Sequence, residues 1–120
     1  MNIFVVKKPF KKSELKALSE NNSAMPSGCI ASNNLLTEKG KLKWCFRETP
    51  INNMDSGWRF LSDIDTDEYL ADANNSSVCD LETVIQTEPA ILAIINSSVG
   101  TDVELKIVNG EKVFVDIQLK

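Results

Sequence analysis

The dipeptide Asn109-Gly110 constrains what this chain can fold into more tightly than any other feature. It stands between Val103, Leu105 and Ile107 on one side and Val113, Val115 and Ile117 on the other, each set apolar at every second position. Alternation at period two lines one face of a strand, and Asn-Gly accepts the two positive φ angles of a type I′ turn. This part of the chain therefore reads as a C-terminal β-hairpin. A hairpin with one apolar face is not stable alone and needs more strands beside it and a layer to cover that face.

Two aromatic runs supply candidates for the additional strands. Lys41-Leu42-Lys43-Trp44-Cys45-Phe46-Arg47-Glu48 and Asp55-Ser56-Gly57-Trp58-Arg59-Phe60-Leu61-Ser62 each carry two rings two residues apart. In a pleated strand both rings of a run point the same way. Pairing of the runs as a hairpin is expected to put Trp44, Phe46, Trp58 and Phe60 on one face, as a structural aromatic core. The loop between them, Thr49 to Gly57, is too long for a tight turn, and exposed loops of this kind often carry function.

The remaining elements follow in order. Residues 3–6 form a short β-branched strand that Pro9 ends, Ser13 caps a short helix with Leu15 and Leu18 on one side, and Asn21-Asn22-Ser23 closes it. Cys29-Ile30-Ala31 reads as a buried strand, followed by a loop from Asn33 to Gly40. Asp65-Thr66-Asp67-Glu68 resembles a capping box with Asp65 as the cap. Asp80 caps a helix carrying Leu81, Val84 and Ile85, and Pro89 opens a buried helical segment with Ile91, Leu92, Ile94 and Ile95. The expected class is α+β: a mainly antiparallel sheet, two to three short helices and the C-terminal hairpin. With 120 residues and no linker or repeat, residues 1–120 are expected to form a single domain.

Composition removes several function classes. A net charge of −4 disfavours nucleic acid as a partner, because neutralising phosphates requires concentrated positive charge, and the only basic cluster is Lys7, Lys8, Lys11 and Lys12. No apolar run reaches the ~18 residues of a membrane span, and the first residues lack the order of a secretory signal, so a cytoplasmic protein without membrane contact is expected. Cys29, Cys45 and Cys79 are widely spaced and odd in number, which points to reduced, mostly buried thiols.

Catalytic chemistry finds little support. The chain has no histidine, which removes Ser-His and Cys-His nucleophilic systems and imidazole metal sites. Asp63, Asp65 and Asp67 match the first ligand positions of a calcium loop. Glu68 stands where that loop needs glycine, and Asn74 where it needs a bidentate glutamate, so a helix cap is the better reading. Neither a cofactor nor a metal is expected. A small metal-dependent enzyme using the acidic turn is the minor alternative.

A set of motifs adds a resemblance. Gly28-Cys29-Ile30-Ala31-Ser32, Trp44-Cys45-Phe46-Arg47-Glu48-Thr49-Pro50, Asp55-Ser56-Gly57-Trp58-Arg59-Phe60-Leu61-Ser62, Asp67-Glu68-Tyr69 and Val99-Gly100-Thr101 follow one another in an order that resembles a bacterial family of immunity proteins of polymorphic toxin systems, formerly a domain of unknown function. The similarity spans roughly residues 28–105, leaving residues 1–27 and the hairpin outside it. The chain departs from the family pattern after the Trp-x-Phe block, where Asp63-Ile64-Asp65 replaces a glycine-containing acidic turn. The resemblance implies a non-enzymatic protein that binds a cognate toxin. Charge complementarity with a basic toxin places the expected contact on the loop from Thr49 to Gly57, including Asp55, and on Asp63, Asp65, Asp67 and Glu68. Trp58 and Phe60 then serve as supports. The alternative is an interaction module with another partner, including a homodimer.

Overall fold

The structure is a computed structural model and describes residues 3–6 and 26–117. The expected helix capped at Ser13 and the Lys7–Lys12 cluster lie outside the described residues. The order of elements is β1 (Ile3–Val6), β2 (Gly28–Ser32), α1 (Asn33–Leu36), β3 (Leu42–Arg47), β4 (Asp55–Ser62), α2 (Asp67–Ala71), β5 (Ser76–Asp80), α3 (Leu81–Thr87), β6 (Asp102–Val108) and β7 (Glu111–Asp116). A 3-10 turn, Ala73–Asn75, precedes β5 and another, Pro89–Ala93, follows α3. The strands make one sheet in the order β1-β7-β6-β3-β4-β2-β5. Among these neighbours only β2 and β4 run parallel. The fold is α+β with a mainly antiparallel sheet and, among the described residues, three short α-helices.

The C-terminal hairpin forms as its local chemistry requires. β6 and β7 pair from Val103↔Asp116 to Val108↔Glu111, and Asn109 and Gly110 adopt φ of 52° and 81°. β1 adds to the free side of β7, in register from Ile3↔Val115 to Val6↔Lys112.

The aromatic runs pair differently from expectation. Cys45 lies opposite Phe60 and Arg47 opposite Trp58, while Trp44 faces Leu61 and Phe46 faces Arg59. Directly opposed residues share a face, so Trp58 and Phe60 point one way and Trp44 and Phe46 the other. Trp58 and Phe60 are fully buried and stacked, with centroids 5.8 Å apart, whereas Trp44 and Phe46 are only half-buried. A one-residue difference in register thus divides the expected four-ring cluster between the two faces.

The core occupies the Trp58 face. Ala31, Cys45, Phe60, Val103 and Phe114 project from five strands against Leu35 of α1, Val84 of α3 and Ile91 and Ile94 from the segment that follows. Burial of Leu35 by α1 and of Leu81, Val84 and Ile85 by α3 explains why these two brief helices persist, since isolated helices of four to seven residues are not stable in water. Three local expectations change. Residues 33–36 are helical rather than loop, with the Ser32 hydroxyl accepting from the Asn34 amide at 3.2 Å and Leu35 buried. Thr66, not Asp65, caps α2, and Asp80 takes the cap position of α3 without a side-chain cap bond. The helical segment expected to open at Pro89 does so as a 3-10 turn, Pro89–Ala93, with Ile91 buried. Among the described residues, no helix is long and apolar enough to cross a membrane.

Candidate partner-binding surface

The Asp55–Arg59 segment positions the loop between β3 and β4. Along β2, Gly28 pairs with Asp55 and Ile30 with Arg59, so two steps of β2 span four of β4. The extra residues arch out of the ladder, as in a bulge, and this bend draws Asp55 and Arg59 together. Gly57 makes the bend possible: its φ is +91°, and a Cβ there would sit 2.1 Å from the Glu48 carbonyl oxygen.

Arg59 donates through Nη1 and Nη2 to the two carboxylate oxygens of Asp55 at 2.9 and 2.8 Å, and through Nε to Glu48. Asp55 also accepts the amides of Ile51 and Gly57, both at 2.9 Å. The Arg59 guanidinium hydrogen-bonded to Asp55 holds its carboxyl well below the usual carboxylate range; the two backbone amides act in the same direction, against the effect of burial. Asp55 is therefore an internal brace, buried at 7% exposure, and is not available to a partner. The Ser56 hydroxyl donates to the Gly28 carbonyl at 2.6 Å and the Gly28 amide to the Met54 carbonyl at 2.8 Å, closing the loop onto β2.

Trp58 supports the same region from beneath. Its Nε1 donates to the Ile95 carbonyl at 3.1 Å, and the Arg47 guanidinium lies 5.8 Å from its ring centroid. Arg47 donates in turn to the carbonyls of Ser56 at 2.9 Å and Ser97 at 2.8 Å. What this framework presents outward is apolar: Ile51 is 71% and Met54 79% exposed. With Val78 of β5, also 79% exposed, and half-buried Ile30, they surround a groove of about 420 Å³ that has Asp80 on its margin.

The acidic turn lies elsewhere. It follows the far end of β4; because Asp55 to Arg59 spans only two ladder steps, Ser62 lies about five strand steps, or about 17 Å, from Asp55. The expected surface thus comprises two separate regions. Within the turn, Asp65 is internal: it accepts from the Ser62 amide and hydroxyl, both at 2.7 Å, the Ser32 hydroxyl at 2.8 Å and Asn34 Nδ2 at 2.9 Å. These donors hold its carboxyl below the usual range despite burial, and they tie the turn to the end of β2 and the first turn of α1. Asp63 accepts from the Lys41 amide at 2.8 Å but is exposed, as are Asp67 and Glu68. Only these three of the five candidate carboxylates face solvent.

Sequence reasoning missed β5 and the groove beside it. Ser76-Ser77-Val78-Cys79-Asp80 has neither alternation nor a high content of β-formers. Its strand form comes from antiparallel pairing with β2, from Gly28↔Asp80 to Ser32↔Ser76, across some fifty residues of chain.

Comparison with known proteins supplies a family. No curated protein and no solved structure matches the chain. The Immunity protein Imm33 domain matches residues 29–117, which takes in β2, the braced loop, the acidic turn and both strands of the C-terminal hairpin. Because that match covers well over half of its length, the chain belongs to the Immunity protein Imm33 domain family.

Proposed function

We propose that this protein neutralises a cognate bacterial toxin by binding it, without catalysis, in the cytoplasm of the cell that makes both. The observation that carries the reading, beside the family, is the braced loop: Ile51 and Met54 are largely exposed on a backbone held by Asp55, Arg59 and Gly28. Exposed apolar side chains on a pre-ordered loop favour protein contact, because little conformational freedom remains to be lost on binding. The exposed carboxylates Asp63, Asp67 and Glu68 form a second region that steers a basic toxin toward the protein and accelerates encounter. Asp55 and Asp65 contribute by holding the two regions in shape.

The test is capture of partners by the tagged protein from its own bacterium at low and moderate salt, followed by co-expression. Recovery of one basic protein that is toxic when expressed alone, and harmless with this protein beside it, is the expected result. Replacement of Ile51 and Met54 by Asp should abolish that protection while leaving the thermal transition in place. A toxin blocked equally well by the double variant overturns the placement. Absence of any toxic partner overturns the function.

A further inference from the structure

β5 is the last strand of the sheet, and among the described strands only β2 pairs with it. The phase of that pairing decides which main-chain groups remain. The Leu81 amide donates to the Ser27 carbonyl at 2.7 Å, continuing the β2–β5 ladder by one residue. In an antiparallel ladder, residues alternate between facing the partner and facing away. Ser77 and Cys79, opposite Ala31 and Cys29, therefore face β2, and Val78 turns both its amide and its carbonyl to the outer edge, beside the Ser76 carbonyl and the Asp80 amide; the Ser76 amide is taken by the Ala73 carbonyl and the Asp80 carbonyl by the first turn of α3.

Among the described residues, that edge lacks the usual protection. Natural sheets blunt an open edge with lysine, proline, a bulge or an inward charge. β5 has no lysine or proline, its five pairs with β2 run without a register shift, and its one charge is at its end. Val78, the central outward residue, is 79% exposed. It stands opposite Ile30 on the face that forms the groove with Ile51 and Met54. Main-chain groups that can pair with another strand thus adjoin an apolar recess that can take a side chain from it.

The margin of the groove narrows the chemistry. Asp80 is exposed, and no lysine or arginine among the described residues pairs with it; its contact is the Ser27 hydroxyl at 3.4 Å. A long side chain ending in a cation would lay its methylenes along Val78 and Ile30 and set its charge against Asp80. Resting on the immunity reading above, we infer that the outer edge of β5 receives an extended segment of the toxin as an eighth strand, with a lysine or arginine of that segment over the groove. This is recognition by strand addition, in which main-chain bonds give affinity and the recess gives selectivity.

Val78→Pro isolates the edge. It removes an outward amide and leaves the ladder to β2 untouched, since proline is tolerated where the amide faces away from the sheet. With the captured toxin as ligand, the loss of this bond and its companion carbonyl contact is expected to weaken binding about 30-fold. Asp80→Asn should weaken it about 5-fold at low salt and less at high salt, as expected for one exposed ion pair. Hydrogen exchange on the unaltered protein provides a second measurement that does not depend on the folding of the proline variant. The Val78 amide should exchange freely in the isolated protein and at least ten times more slowly in the complex.

The outcomes separate. If the unaltered protein captures no toxin, the immunity reading fails and this inference with it. If it binds toxin but both variants bind equally well, or the Val78 amide exchanges at the same rate in the complex, the edge inference fails alone. Slow exchange at Val78 in the isolated protein, accompanied by a dimeric mass, also overturns it, in favour of pairing between two copies.

Discussion

Asp55→Asn tests the physical basis of the braced loop directly. The substitution preserves size and removes the charge opposite Arg59, whose side chain is 5% exposed against 8% for Asp55. Breaking a buried ion pair by altering one partner costs about 3–5 kcal/mol, mainly because the remaining charge stays buried. Here Glu48 still reaches Arg59, and an asparagine carbonyl can accept one of the two loop amides, so the lower end, about 3 kcal/mol, is expected. At about 4 °C per kcal/mol for a chain of this size, Tm falls by about 12 °C. Glu48→Gln serves as the control: the Glu48 side chain is 52% exposed, and losing such a pair costs less than about 1 kcal/mol.

The pH dependence follows from the same contacts. A carboxyl held low in the folded state stabilises fully above its unfolded value of about 3.9 and loses that contribution as acid protonates it in both states. The gap in Tm between the unaltered protein and Asp55→Asn should be constant from pH 7 to pH 5 and narrow below about pH 4. Differential scanning calorimetry reads both quantities. A shift smaller than about 3 °C at pH 7, or a gap that persists unchanged in acid, would refute the assignment of Asp55 as the brace.

Three further outcomes are expected. Gly57→Ala should cost about 2 kcal/mol or more in urea unfolding, because φ is +91° and the new Cβ meets the Glu48 carbonyl; a midpoint equal to that of the unaltered protein would contradict it. Neutralising Asp63, Asp67 and Glu68 together should slow association with the toxin about tenfold at low salt, with little change at high salt, and should move Tm by no more than about 3 °C. Stopped-flow measurements at two salt concentrations separate the two effects. Among the thiols, Cys79 should react first with a thiol reagent in the folded protein: it is half-buried, and the Cys29 thiol 3.7 Å away lowers its pKa. Cys45, fully buried and pushed up by that burial, should react only on unfolding; equal rates for the two would refute this ordering.

Sequence alone determined the features whose causes are local. Asn109-Gly110 between two alternating apolar runs made the C-terminal hairpin legible, because the turn angles and the two-residue period are encoded within about fifteen residues. The aromatic runs were legible as strands for the same reason, and the ordered motifs from Gly28 to Thr101 carried the family. Tertiary structure decided what depends on distant partners. The register of β3 against β4 sent Trp44 and Phe46 to the face opposite Trp58 and Phe60, a choice that period two by itself leaves open. The mismatch between β2 and β4 brought Arg59 back onto Asp55, and the pairing of Ser32, Asn34 and Ser62 with Asp65 took a second carboxylate inward. Both aspartates are indistinguishable in sequence from the exposed Asp63 and Asp67. β5 is the clearest case: its five residues have little strand character of their own, and their conformation and open edge exist because β2, some fifty residues earlier, supplies the other half of the hydrogen bonds.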